Sequence, residues 1–264
     1  MTIKKRFFLI SLIFFFHLYA GVYASDKIKI IEKTIDGFKN IKSFYFTKKT
    51  TTGSFSVAET RGALDYFNQK MESITQVDSQ LIEKVCSKGS EVYIYEGITG
   101  QWFRLSKKDY YFDQGFNKEK FFLFFKEAAQ NNGFALLVSE KEGSGKDNFF
   151  VIESRIEDKR KAKKYILDNL DIIFGRNFNN ALKNDLNLLD DYLTLYTTDF
   201  LNIIWVAKKN FLPKKKVKIY HQPVGSGDSL RIEENINYFD FNKEVKLELP
   251  EAAKAAPTMP RLLK

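Results

Sequence analysis

The sequence predicts an α+β fold, a curved antiparallel sheet of many short strands with a few helices set against it. Three observations predict it. Apolar and polar residues alternate with a period of two through most of the chain. The alternating runs are short and are joined by turn formers such as Asn68-Gln69 and Gly97 to Gly100. Three separate stretches switch to helical spacing. An aromatic content of 16 %, with 26 Phe against only 14 Gly and 5 Pro, favours broad apolar sheet faces over disorder.

The chain opens on a leader. Lys4, Lys5 and Arg6 precede an almost unbroken Phe, Leu and Ile run from Phe7 to Leu18, and Val22 and Ala24 place small residues three and one before Ser25. A basic start, an apolar middle and a small-x-small end predict a signal peptide over residues 1–24, cleaved after Ala24. An uncleaved anchor fits less well. Phe7 to Ala24 is near the lower length limit for a span and contains Ser11 and His17. Export argues against nucleotide chemistry and against nucleic acid as a partner, although the chain is basic (formal charge +9).

Ile28, Ile31, Ile35 and Phe38 recur at helical spacing and predict an amphipathic helix from Asp26 to Asn40. The period then drops to two. Phe44 and Phe46 alternate with Tyr45 and Thr47, and Phe55 and Val57 with Ser54 and Ser56. Leu64 to Phe67 leads through Asn68-Gln69 into a strand at Met71 to Thr75. Val92 and Ile94 alternate with Tyr93 and Tyr95, and a Gly-bracketed turn leads to Trp102 to Leu105. A second helix is predicted over Lys118 to Gln130, stopped by Asn131-Asn132-Gly133. Strands follow near Phe134 to Glu140 and Asn148 to Ile156, joined by a turn over residues 142–146. From 157 to 198 the stripes Ala162, Ile166, Leu170, Ile173 and Leu182, Leu186, Leu189, Leu193 flank Gly175 and predict a helical hairpin. The last third returns to strands. Ile203, Trp205 and Ala207 alternate with Ile204 and Val206. Pro213 is expected in a turn before Val217, Ile219 and His221. Leu230, Ile232, Ile236 and Tyr238 form a further strand, and Val245, Leu247 and Leu249 a final one. The organisation expected is one domain over 25–250, with the helical hairpin inserted at about 157–198, and a tail over 251–264 that frays at its end.

The residues that would carry covalent or metal chemistry are sparse. Cys86 is the only cysteine, so no internal disulfide forms, and Ser25 rather than cysteine follows the leader, so no acyl anchor is expected. Cys86 sits in an alternating run with Leu81, Ile82 and Val85 and reads as a small buried side chain. His221 is the one histidine beyond the leader, too few for a transition-metal site. A hydrolase would have to use Cys86 or His221. There is no Gly-x-Ser-x-Gly elbow. Gly143-Ser144-Gly145-Lys146 lacks the spacer and the following Ser or Thr of a phosphate loop. Asp190 and Asp191 point about 100° apart on a helix and do not converge. The chain is therefore expected not to be an enzyme, and to need no cofactor or metal.

What the sequence has in excess is apolar sheet surface. A curved sheet of such strands has a greasy concave side that something must cover. Phe121 to Phe125 form five consecutive apolar residues on the second helix, wider than the roughly 100° stripe of an ordinary surface helix. Such a helix either sits in the core or acts as a movable lid. A groove lined by Phe and Trp can hold an acyl chain without polar anchoring, because each buried methylene contributes about 0.8 kcal/mol.

The amphipathic opening helix, the Phe44–Phe46 strand and Gly100-Gln101-Trp102-Phe103-Arg104 are followed by the strand-turn-strand from Asn202 through Trp205 and Pro213 to Val217. The closing pattern is Tyr238, Asn242, Val245, Pro250. Over most of the mature chain this order resembles the LolA-type periplasmic outer-membrane lipoprotein carriers. The resemblance implies an incomplete, half-open antiparallel β-barrel with helices covering its concave face. It implies that Phe44, Phe46, Trp102 and Trp205 line the barrel and that the helix with Phe121, Phe122 and Phe125 plugs it. Arg61 and Arg104 are the arginines that could latch such a plug, and the 157–198 hairpin is larger than the usual carrier has. The function expected is that of a monomeric periplasmic carrier. It would bind lipid or lipoprotein acyl chains and pass them between membrane-protein donor and acceptor in outer-membrane biogenesis. The alternative is an envelope protein-interaction or lipid-sensing regulatory module on the same fold.

Overall fold

The computed structural model describes residues 26–53, 56–106, 118–130, 132–142, 148–173, 186–223 and 228–258. The leader 1–24, Phe55, most of the 142–146 turn, Gly175, Leu182 and the last residues of the tail lie outside them.

Helix α1 covers residues 26–39 and turns Ile31 and Phe38 inward, with Thr34 Oγ1 donating to the Ile30 carbonyl at 2.7 Å. Six strands follow: β1 (Ser43–Thr52), β2 (Ser56–Asp65), β3 (Lys70–Val77), β4 (Gln80–Lys88), β5 (Glu91–Glu96) and β6 (Gln101–Ser106). Helix α2 (Lys118–Ala129) precedes β7 (Phe134–Glu142) and β8 (Asn148–Ile156). Then come α3 (Lys159–Asp168), α4 (Leu170–Ile173) and α5 (Leu186–Tyr196). The last strands are β9 (Leu201–Ala207), β10 (Pro213–Pro223) and β11 (Ser229–Phe239), with a short α6 at Glu251–Lys254.

Among the described residues, eleven strands form one sheet in the order β6-β5-β4-β3-β2-β1-β11-β10-β9-β8-β7, and neighbouring strands are antiparallel. It consists of two meanders, β1 to β6 and β7 to β11, joined along β1 and β11, where Phe46 faces Tyr238 and Lys48 faces Ile236. Among the described residues the outermost strands β6 and β7 do not pair, so the sheet is open there, in agreement with the antiparallel meander read from the alternation.

Helices α1 to α5 pack on one face, and α6 packs on the other. Ile31 and Phe38 of α1 and Phe122 and Phe125 of α2 join Phe44, Leu64, Ile152, Ile204, Val206 and Tyr238 in one buried cluster. A second cluster gathers Ala162 and Ile166 of α3, Leu189, Leu193 and Tyr196 of α5, and Phe124, Phe134 and Phe200. Helix α3 starts where Asp158 Oδ1 accepts from the Lys161 amide at 3.1 Å. Lys163 on α3 reaches Asp190 on α5 at 3.1 Å, so Asp190 lies on the solvated side of its helix.

One expectation is corrected on the other face. Residues 243–250 form no strand. They run as a strap: Tyr45 OH donates to the Glu244 carbonyl at 3.0 Å, and Leu247 and Leu249 pack on Cys86, Tyr93 and Trp102. Apolar alternation marks a chain with one side buried, and here that side rests on side chains without joining a ladder. The segment after it stays packed as far as Thr258. Ala253 and Ala256 are buried, and the Arg104 amide donates to the Pro257 carbonyl at 3.0 Å. A smaller correction concerns Pro213, which is the first residue of β10 and not part of the turn. That position spares the ladder a missing donor.

Candidate ligand-binding site

The helix-bearing face brings together Phe44, Phe46, Phe122 and Phe125 of the expected site residues. The Phe38 ring links them, with centroids 5.3 Å from Phe122 and 6.1 Å from Phe44, and Phe44 lies 6.2 Å from Phe46. Phe46 lies over Gly62, where a Cβ would come within 2.8 Å of the ring and 2.4 Å of the Glu72 carbonyl oxygen. The side chain of Phe121 lies outside the described residues.

Trp102 and Trp205 are not part of this group. Ile204 and Val206 belong to the helix-side cluster, so Trp205, between them on β9, points to the other face, where Lys215 Nζ lies 5.2 Å from its ring centre. Trp102 sits under the strap, 5.4 Å from Tyr95. β9 is apolar on both faces, so its composition did not reveal which parity faces the helices. The latch arginines are also elsewhere. Arg104 meets Glu91 at 3.6 Å and Thr258 at 2.9 Å on the strap side, and Arg61 is exposed, opposite Thr47.

The helix-side face is not uniformly apolar, contrary to the greasy concave side expected. Following β1 inward, Phe44 and Phe46 give way to Lys48 and Thr50 on the same parity. Across the register, Thr50, Glu234, Lys218, Asn202 and Ser154 form one continuous polar row over five strands. Ile236, Ile204 and Ile152 lie on one side of it, and Ile232, Tyr220 and Ile156 on the other. The row is thus a seam between the two apolar clusters. Lys48 Nζ lies 3.8 Å from Glu234 Oε1. Lys218 Nζ lies 4.4 Å from the Tyr220 ring centre and 5.1 Å from that of Tyr196, a cation held by two aromatic faces. Burial pushes the Tyr196 and Tyr220 hydroxyls far above the ordinary phenol range, so both are neutral. Asn202 is fully buried, and among the described residues neither its Nδ2 nor its Oδ1 has a hydrogen-bond partner. Ser154 Oγ, beside it, donates to the Phe124 carbonyl of α2 at 3.3 Å. The sequence carried a signal for this row, since Asn202 interrupts an otherwise apolar run from Leu201 to Val206.

Farther along the same face, β4, β5 and β6 frame a partly open cavity of about 210 Å³ lined by Ile82, Glu83, Ile94, Glu96, Ile98 and Phe103. Ile98, in the β5–β6 turn, is 85 % exposed at its rim. Glu83 and Glu96 are direct cross-strand partners. Desolvation raises the Glu83 carboxyl above the usual carboxylate range, with Lys48 pulling it partly back. The Glu96 carboxylate accepts from Thr99 Oγ1 at 2.8 Å.

Cys86 and His221 stand on β4 and β10, five strand spacings apart in the sheet, and so do not pair. His221 Nδ1 lies 3.3 Å from Ser229 Oγ. Cys86 is fully buried under the strap, and desolvation pushes its thiol up to about 11. Iodoacetamide should therefore leave the native protein unlabelled and modify Cys86 only in denaturant, read by intact mass. Rapid labelling of the native protein would mean that the strap does not hold. Among the described residues, no three His, Cys, Asp or Glu side chains gather as metal ligands would, and no helix is long and apolar enough to cross a membrane.

No protein-family model matches the chain, and no curated protein matches it. Among solved structures, the Mycobacterium tuberculosis lipoprotein LppX is similar at 10 % identity and a TM-score of 0.49, over 85 % of this chain and 99 % of that one. MucB, solved in complex with periplasmic MucA, is similar at 12 % identity and a TM-score of 0.35, over 87 % of this chain and 60 % of that one. Neither reaches a TM-score of 0.5, so function is read from this chain's own side chains.

Proposed function

We propose that this protein is an exported, non-enzymatic carrier of acyl chains, held in the periplasm and working between membranes. The observation that supports it best is the unfilled apolar space on the helix-bearing face, floored by Ile94 and Phe103 and rimmed by exposed Ile98. At about 210 Å³ it falls below the roughly 300–1,000 Å³ of a pocket that encloses a whole ligand. It admits part of a chain, and the rest displaces what covers the face. Phe122 and Phe125 of α2 meet the sheet through hydrocarbon contacts, which a lipid tail can replace in kind. In this reading α1 and α2 are the cover of a half-open barrel. A chain leaves a membrane-bound donor, enters as α2 shifts, is held by exclusion of water, and passes to an acceptor with no bond made or broken.

Residues 25–264, purified from the periplasm, should carry co-purifying lipid detectable by mass spectrometry after solvent extraction. Delipidated protein should bind a fluorescent fatty acid with saturable, blue-shifted emission. Protein that emerges empty and gives no saturable signal rules the proposal out.

A further inference from the structure

We infer that the polar seam of Asn202, Lys218 and Lys48 is a headgroup site, which takes the carboxylate or phosphate oxygens of an anionic single-chain amphiphile whose tail lies in the flanking apolar clusters. The inference rests on the carrier reading above and specifies its cargo.

Four observations carry it. The first is Asn202, with a wholly buried amide and no partner for either polar atom among the described residues. Buried amides are almost always paired, and an unpaired one calls for a specific cause. The second is charge. Among the described residues, Lys48, Lys216 and Lys218 stand on this part of the face with Glu234 between Lys48 and Lys218, and Lys48 is also drawn to Glu83. Glu234 is flanked by Lys218 directly across the ladder and by Lys48 at 3.8 Å, so it fixes the two lysines in place. The third is preorganisation. The Tyr196 and Tyr220 rings hold the Lys218 ammonium, and the neutral phenols add no competing charge. The fourth is position. The row lies between two apolar clusters that converge on it, as a polar head with a hydrocarbon tail requires. Asn202 Nδ2 would donate one hydrogen bond to an anionic oxygen, and Lys218 a charge-assisted one. α2 lies over Ser154 and α5 over Lys218, so the head enters by the same helix displacement as the tail.

Palmitate, hexadecanol and inorganic phosphate separate the possibilities when each competes with a neutral fluorescent acyl probe on residues 25–264. Palmitate should compete about tenfold or more better than hexadecanol, the worth of one charge-assisted hydrogen bond. Lys218→Gln and Asn202→Leu should each bring palmitate to the level of hexadecanol and leave hexadecanol unchanged. Lys48→Gln, partly exposed and outside the packed clusters, is the control variant should either of the others fail to fold, and it should narrow the gap. Equal competition by palmitate and hexadecanol on the unaltered protein overturns the headgroup site and leaves the carrier reading standing. A palmitate preference that survives both Lys218→Gln and Lys48→Gln also overturns it. Inorganic phosphate competing as well as palmitate would assign the seam to a free anion and overturn the amphiphile. Failure of palmitate and hexadecanol alike removes both proposals.

Discussion

Phe38→Ala should lower the free energy of unfolding by about 3–5 kcal/mol, the range for truncating a fully buried aromatic. Phe38 is 0 % exposed and lies near the end of α1. Its ring touches Phe44 on β1, Phe122 on α2 and Tyr66 in the β2–β3 turn, at 6.1, 5.3 and 6.3 Å between centroids. One side chain thus ties both helices to the sheet, and the hole left by alanine is bounded by three rings that cannot all collapse into it. Against a typical total stability of about 5–15 kcal/mol, the loss is large enough to read directly from a shifted urea midpoint. The variant should also bind more of a hydrophobic dye below its transition, because the cover over the apolar face is loosened. A midpoint shift worth less than about 1 kcal/mol would show that α1 is not anchored by this ring.

Gly133→Ala should cost about 2–4 kcal/mol, from two independent terms, a left-handed backbone and an overpacked contact. Gly133 has φ +88°, and a Cβ there would lie 2.4 Å from the Ala162 nitrogen and 2.7 Å from the Asp158 carbonyl oxygen. Its own carbonyl accepts from the amides of Glu157 and Asp158 at 3.0 and 3.1 Å. The end of α2, the start of β7 and the start of α3 therefore all meet at this residue. The obstructing atoms are backbone and cannot swing aside. The check is a thermal melt, in which an unchanged midpoint would contradict the geometry.

Much of the sheet was legible. Period-two alternation located the strands other than β4, because one face of each is covered and the other is not; residues 81–86 read only as an alternating run around Cys86. Asn131-Asn132-Gly133 marked the end of α2, since the left-handed turn there favours glycine. The faces were harder to read. In β9 both parities are apolar, so nothing local distinguished Ile204 and Val206, under the helices, from Ile203 and Trp205, away from them. The strap over 243–250 alternates like a strand, because one of its sides is buried whether or not a neighbour completes the ladder. The polar seam was available in principle. Lys48 has the parity of Phe44 and Phe46, and Asn202 stands in an apolar run. But Lys218 and Glu234 meet them only through the register of β10 and β11, a long-range pairing that no local pattern specifies.

The junction of β1 with β11 has a consequence for how the molecule is made. The first strand finds its second neighbour only in the last strand, some two hundred residues later, opposite Tyr45 to Thr52. A chain still emerging, whether from a ribosome or from a membrane pore, can assemble each meander locally but cannot zip the halves together. Closure of so distant a pairing carries a loop-entropy penalty and is slow. Until the final strand arrives the two halves stay unjoined, so a chain cut short of β11 cannot reach the finished shape.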